Sequence, residues 1–506
     1  MARTRRFVLN YVGSIANQFF LAGVGLLTTK LVLQWLGEER YGAFRVTQDW
    51  LGYLVLLELA LGGTLHPMLA KALGRGDPTM VRQTLQAAVR AYFRLGLFAL
   101  FAGLASALII TRLIPVAPAH AGELRGAWLL AVLGMVFFFP LAPFRPLIEA
   151  NQRGYWIAGL CSCQGLVIAV LSVLFAWTGW GIFGQSLAMV FGSVWLYGSI
   201  TWLGTRQYPG VLRGIFKETP DLELRRSLWD LSWPTLVRAL CFQIGLMSDT
   251  IVIALMLGPV FVVPFFVTQR LISLAQNQLR NISGASWAGM AELHVQGFQD
   301  LFNRRLVELT GLVAVLGMAG LAPVVAYNGH FVRWWLGANH YGGDLVTGLA
   351  AVNTFLLALF TLWSGCMVGT GHVRLLLPIT LISTAINLAA SVILVRPLGI
   401  AGPLVGTLAA ALCTYVWYLP LVLKRVFETK LGPLMCAILV PVLLGLPYVA
   451  GLWWIAHNHE PEGWMGLAVE MGSAILLYLA LAWWVVLNRE KRVELMTRTR
   501  ALLLGA

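Results

Sequence analysis

The sequence predicts an all-α, polytopic membrane protein of about 14 transmembrane helices, arranged as two six-helix lobes related by pseudo-twofold symmetry plus two C-terminal helices. Three observations predict it. The chain of 506 residues is 58% hydrophobic and only 11% charged, with a mean hydropathy of +0.77, too little charge to cover a soluble fold of this size. Its apolar residues fall into runs of roughly 20, the length that crosses a ~30 Å hydrocarbon core as a helix. Displaced by about 221 positions, the chain resembles itself, with six runs between equivalent points.

The runs follow in order. The first six lie near 11–35, 46–70, 86–113, 126–148, 155–177 and 181–204. The polar stretch "TRQYPGVLRGIFKETPDLELRRSL" interrupts them, and six more lie near 231–257, 260–285, 306–327, 345–369, 373–395 and 400–423. Two last runs lie near 432–456 and 464–487. Helices are expected throughout, because hydrocarbon leaves no other partner for backbone groups. The expected domains are a first lobe over 1–204, a cytoplasmic linker over 205–228 and a second lobe over 229–430. Residues 431–506 supply the two additional helices and a basic tail. The opening basic segment reads as an uncleaved first span, and "FPLAPFRPLIEANQRG" as a broken helix.

Charge fixes the expected orientation. Most Lys and Arg fall at the N-terminus, in the even-numbered loops and in the tail, so both termini are expected in the cytoplasm. The net charge of +14 is therefore spent on membrane anchoring, and no nucleic-acid partner is expected. The six cysteines sit in or beside apolar runs, and the lone Cys161-x-Cys163 pair lacks further ligands, so no metal and no cofactor are expected.

In the repeat, Gly37 aligns with Gly258, and Val46-Thr47-Gln48 with Val267-Thr268-Gln269. An even number of spans per repeat keeps both halves in one orientation, with the symmetry axis along the membrane normal. Charges gather on the first two spans of each half. Arg238 and Asp249 are 11 residues apart, on one helical face but about 16 Å apart along it. Thr235, Arg238 and Asp249 align with Ser14, Asn17 and Thr28 of the first span. In the eighth span Arg270, Ser273, Gln276, Asn277 and Arg280 follow helical spacing; in the second, Thr47 and Glu58 share a face, and Lys30 charges the outer end of the first.

Charges at the middle of a span cost about 2.5–3.5 kcal/mol each on insertion scales unless they meet water, partners or a ligand. The expectation is that they line a central cavity between the lobes. Lys30, Arg238, Arg270 and Arg280 outnumber Glu58 and Asp249, so the ligand expected is an anion, held at those four basic residues. Asn17, Glu58, Asp249, Ser273 and Asn277 supply the polar or coupling positions.

"NYVGSIANQF", "LGEERYGAFRV" and "LLELALGGTLHPMLAKALGRGD" resemble the polysaccharide transporter, or O-antigen flippase, family. Its superfamily also holds the multidrug-and-toxin extruders and the lipid II flippase. The similarity is clearest over residues 8 to 95 and looser over 230 to 330; Glu58 stands where the family commonly has aspartate. The resemblance implies a two-lobed helical transporter of the bacterial inner membrane. It implies movement of polyprenyl-diphosphate-linked oligosaccharide from the cytoplasmic to the periplasmic leaflet, with polysaccharide polymerase or ligase machinery as candidate partners.

Two other readings use the same residues. A cation-coupled multidrug antiporter would take Asp249 or Glu58 as its proton or sodium site. A membrane glycan ligase or polymerase would need a catalytic group in an outer loop, and "YNGHFVRWWLGANHYGGDL" offers no base–nucleophile pair. No nucleotide-binding loop is present, and the chain is not expected to be an enzyme.

Overall fold

The structure is a computed structural model and describes residues 2–151, 154–208, 237–238, 240–241, 243–245 and 247–486. All regular elements among them are helical, so the chain is an all-α, multi-pass membrane protein. In the first half they are α1 (Ala2–Leu36), α2 (Glu38–Gly74), α3 (Pro78–Ala107), α4 (Ala121–Phe138), α5 (Phe144–Ala150), α6 (Gly154–Trp177), α7 (Gly181–Gln207) and α8 (Met247–Met256). The second half has α9 (Val262–Thr268), α10 (Arg270–Val295), α11 (Gln299–Trp335), α12 (Asp344–Gly369) and α13 (Val373–Leu398). It closes with α14 (Gly402–Cys413), α15 (Tyr415–Phe427), α16 (Leu431–Asn458) and α17 (Gly463–Val485).

Ten described segments are long and apolar enough to cross a membrane, or eleven if the bent pair around Gln269 is one span. The expected fourteen is not reached by that measure, for identifiable reasons. In α2 the side chains of 56–64 and 66–67 lie outside the described residues, 231–257 is described only in part, and 373–427 counts once although it holds α13, α14 and α15. The Pro-rich stretch breaks as expected: α4 ends at Phe138, a 3-10 turn spans Phe139–Leu141, and α5 resumes at Phe144.

The chain forms two compact units, Met1–Val263 and Pro264–Ala506. The division falls inside α9, so α8 is described with the first unit. That unit's core joins Leu65, Leu69 and Ala72 of α2 to Leu85, Val89 and Tyr92 of α3, with Phe144 and Leu147 of α5 and Ile200 of α7. Helices α3 and α4 cross closely at Gly103, whose carbonyl accepts a 2.8 Å hydrogen bond from the Trp128 indole. Asp77 caps α3: its Oδ1 accepts from the Thr79 hydroxyl at 2.6 Å and from the Thr79 and Met80 amides at 2.9 and 3.1 Å. The Thr79 hydroxyl first, and the Met80 amide next, hold that exposed carboxyl below the usual range.

In the second unit, Phe302, Leu306 and Val313 of α11 pack with Leu359 and Trp363 of α12, Leu423 of α15 and Leu434 of α16. The Trp363 indole donates to the Thr310 hydroxyl at 3.0 Å. A satellite cluster of Ala319, Tyr478 and Ala482 docks α17 on α11, and Tyr478 donates to the Pro441 carbonyl of α16 at 2.7 Å. Helices α13 and α14 meet at Gly402 and Gly406; a Cβ on Gly406 would stand 2.7 Å from the Ser391 backbone nitrogen.

Candidate functional site

Gly37 and Gly258 both turn the chain into the next helix with positive φ, 80° and 110°, a conformation that side chains resist. After that turn α2 runs unbroken, and Gly42, Arg45 and Asp49, then Gly52 and Tyr53 three and four residues beyond Asp49, fall along one side. Two glycines on this face let neighbours approach. A Cβ on Gly42 would fall 1.9 Å from the Pro259 carbonyl oxygen, and one on Gly52 would meet Met247 Sδ at 2.6 Å.

The close approach brings ionisable groups of α2 and α8 together. Asp49 lies beside Arg45 and accepts a hydrogen bond from Thr250, while Tyr53 lies within electrostatic reach of both Asp49 and Asp249. Ser248 and Asp249 are buried, at 3% and 8% exposure. Charge in this setting is tolerable only with compensation, which at Asp49 the Arg45 guanidinium and the Thr250 hydroxyl supply. Asp249 is thus where a polar residue was expected, and its companion Asp49 was missed. The signal was present: Asp49 follows Val46-Thr47-Gln48 as Arg270 follows Val267-Thr268-Gln269, so the 221-residue displacement pairs them directly.

The first span divides its polar residues. Asn17 Oδ1 accepts a 2.6 Å hydrogen bond from Ser162 of α6, which fastens α1 to that helix. Thr28 returns its hydroxyl to the Val24 carbonyl at 2.7 Å, and Lys30 is exposed. Arg238 is half-buried in the helical residues leading to α8. Glu58 falls on α2 in the helical record, but its side chain lies outside the described residues, as do Ser14 and Thr235.

In the second unit the helix breaks after the repeated Val-Thr-Gln, and α9 meets α10 at 55°. The break is stabilised from α11 and the turn before α12. Asn328, fully buried, donates to the Thr268 carbonyl at 2.8 Å and to the Thr347 hydroxyl at 3.1 Å. The Thr268 hydroxyl accepts from the Gly342 amide at 2.7 Å. Backbone groups freed by the bend are therefore partnered, as apolar surroundings require.

The bend starts α10 at Arg270, and this helix has two unlike faces. Ile272, Leu279 and Met290 are buried in the unit's core. Arg270 and Ser273 are half-buried, Asn277 and Arg280 are exposed, and Ser273 donates to the Gln269 carbonyl at 2.9 Å. The four expected residues of the eighth span thus share one face, half-buried at Arg270 and Ser273 and exposed at Asn277 and Arg280. That face holds two guanidinium groups with amide and hydroxyl side chains, a donor set suited to phosphate or carboxylate oxygens.

An all-α membrane protein with a glycine-lined carboxylate seam and an arginine-bearing helix face can be set beside known proteins. It has the fold of transporters of the MOP superfamily. The lipid II flippase MurJ, in an inward closed conformation, superposes with a TM-score of 0.71 at 14% identity, over 94% of this chain and 100% of that one. A multidrug resistance MATE family transporter in an outward-facing conformation superposes at 0.60 and 15% identity, over 88% and 96%. In sequence, the chain is 22% identical to the uncharacterized membrane protein EpsK of Bacillus subtilis (strain 168), over 98% of both chains. No family model matches.

Proposed function

We propose that this chain is a flippase that carries a polyprenyl-diphosphate-linked oligosaccharide from the cytoplasmic to the periplasmic leaflet of the bacterial inner membrane. The observation that carries the reading is the divided surface of α10, whose apolar side is buried while the other side bears half-buried Arg270 and Ser273 and exposed Asn277 and Arg280. Hydrocarbon against that side would cost several kcal/mol, so it works against water or an anionic ligand. The diphosphate supplies the oxygens that a planar guanidinium grips in pairs, and the polyprenyl chain stays in lipid. Alternating access exposes the arginine face to each side of the membrane in turn. The fold shared with a lipid II flippase supports this reading.

The test is translocation of a labelled lipid-linked oligosaccharide in inverted membrane vesicles. Replacing both Arg270 and Arg280 by alanine is expected to lower the rate roughly a hundredfold, the equivalent of two charge-assisted hydrogen bonds. Undiminished transport overturns the assignment.

One observation favours a second reading, cation-coupled export of amphipathic cations. Asp49 and Asp249 put two carboxylates on spanning helices beside Tyr53, and carboxylates in such positions serve proton or sodium coupling in pumps. Efflux that requires a proton or sodium gradient and disappears in Asp49→Asn would favour it over the flippase.

A further inference from the structure

One end of the first unit carries a polar cluster that neither the arginine face nor the carboxylate seam uses. Arg40, in the first turn of α2, donates from Nε to His120 Nδ1 at 3.2 Å and from its Nη2 to Glu123 Oε1 at 2.9 Å. The other Glu123 oxygen accepts the Ile182 amide, at the start of α7, at 3.3 Å. Room for that carboxylate exists because residue 181 is glycine: with φ +59°, a Cβ there would lie 2.0 Å from Glu123 Oε2. One residue before Arg40, Glu39 accepts the Ala117 amide at 2.6 Å. Four segments are tied together: α2, the loop before α4, α4 and α7.

The hydrogen-bond directions fix a protonation state. A guanidinium Nε–H can only donate, so His120 Nδ1 must present a lone pair, and the imidazole is neutral with its proton on Nε2. The charged groups facing His120 are Arg40 from α2 and Glu123 from α4; α7 brings an amide and no ionisable side chain. With neutral His120, one guanidinium meets one carboxylate. A proton taken from bulk water onto Nδ1 removes the acceptor and sets a second cation 3.2 Å from Arg40. Glu123 stands 3.9 Å from Nδ1, but its oxygens already serve Arg40 and Ile182. One carboxylate then faces two cations among side chains that are about three-quarters buried, where screening is weak.

We infer that Arg40, His120 and Glu123 form an acid-released clasp on the end of α2. The clasp is held by a neutral imidazole acceptor and is opened by a proton placed on it. The lysine and arginine bias puts this end outside. The released helix is the one that presents Arg45, Asp49 and Tyr53 to α8, so acid acts on the carboxylate seam through the helix that carries half of it. The inference does not depend on what is transported.

Hydrogen exchange of the full-length protein in detergent, without substrate, tests it. Amides of residues 37–46 and 114–126 are compared at pH 8 and pH 5 after correction for intrinsic exchange. Wild type is expected to exchange about tenfold faster at pH 5, the equivalent of one lost hydrogen bond to a charged group. His120→Asn, whose Oδ1 replaces Nδ1 as a permanent acceptor, is expected to stay slow at both values. His120→Lys is expected to be fast at both. Equal protection of wild type at the two pH values, or the same acid response in His120→Asn, overturns the inference. Either result leaves the transport reading of α10 untouched.

Discussion

Asp49 has Arg45 one helical turn behind it and the Thr250 hydroxyl across from it. Removing one member of such a set leaves the others facing apolar surroundings, which costs more than the set contributes when complete. Asp49→Ala is therefore expected to lower stability by about 1–3 kcal/mol in denaturant titration, and a second change, Arg45→Leu, to recover part of that loss. Asp77 tests the opposite regime, an exposed carboxylate held below its ordinary range by hydrogen bonds. Its folded value is depressed, so the cap contributes above the unfolded value of about 3.9 and is lost as pH falls through the folded one. The difference in melting temperature between wild type and Asp77→Ala should stay constant from pH 8 to pH 5 and shrink only in stronger acid. Asp49 itself was legible only through the repeat. The face chosen on α2 by helical spacing held Thr47 and Glu58, and a two-residue step turns a helix by about 200°, to the opposite side. Thr47 proves to be a fully buried residue whose hydroxyl returns to the Ala43 carbonyl.

Among the elements, α10 was readable because its polar residues follow helical spacing over three turns, a signal that local sequence carries by itself. The bend before it was not. Val-Thr-Gln lies inside the continuous α2 in one half and ends α9 in the other. What separates the two is Asn328, some 60 residues further on, which takes the Thr268 carbonyl. Asn328→Leu is expected to destabilise the second unit by about 2–3 kcal/mol, because a buried carbonyl loses its donor in an apolar setting. The crossing of α13 and α14 at Gly402 and Gly406 follows the small-residue spacing that lets helices touch backbone to backbone. Gly406→Leu should cost about 3 kcal/mol or more, since the neighbouring atom is main chain and cannot rotate away. Proteolysis of both variants in mild detergent, compared with wild type, reads the two effects.

For the molecule as a whole, hydropathy located the helices: the expected runs fall mainly on helical residues where they are described, with turns inside them at 108–109, 142–143, 269 and 414. The number of crossings was harder to read, because α13 to α15 form one apolar stretch with internal breaks. Orientation rests on the lysine and arginine bias and is testable directly. With the six native cysteines replaced, a cysteine at Arg75 should react with an impermeant maleimide only from the cytoplasmic side, and one at Asn458 only from outside. Reaction from the opposite sides would invert the proposed direction of transport.

The approach of Gly42 to the Pro259 carbonyl has a consequence for substitution: the two main chains meet with no room for a methyl group, so even alanine at position 42 would force α2 away from the turn that begins at Pro259.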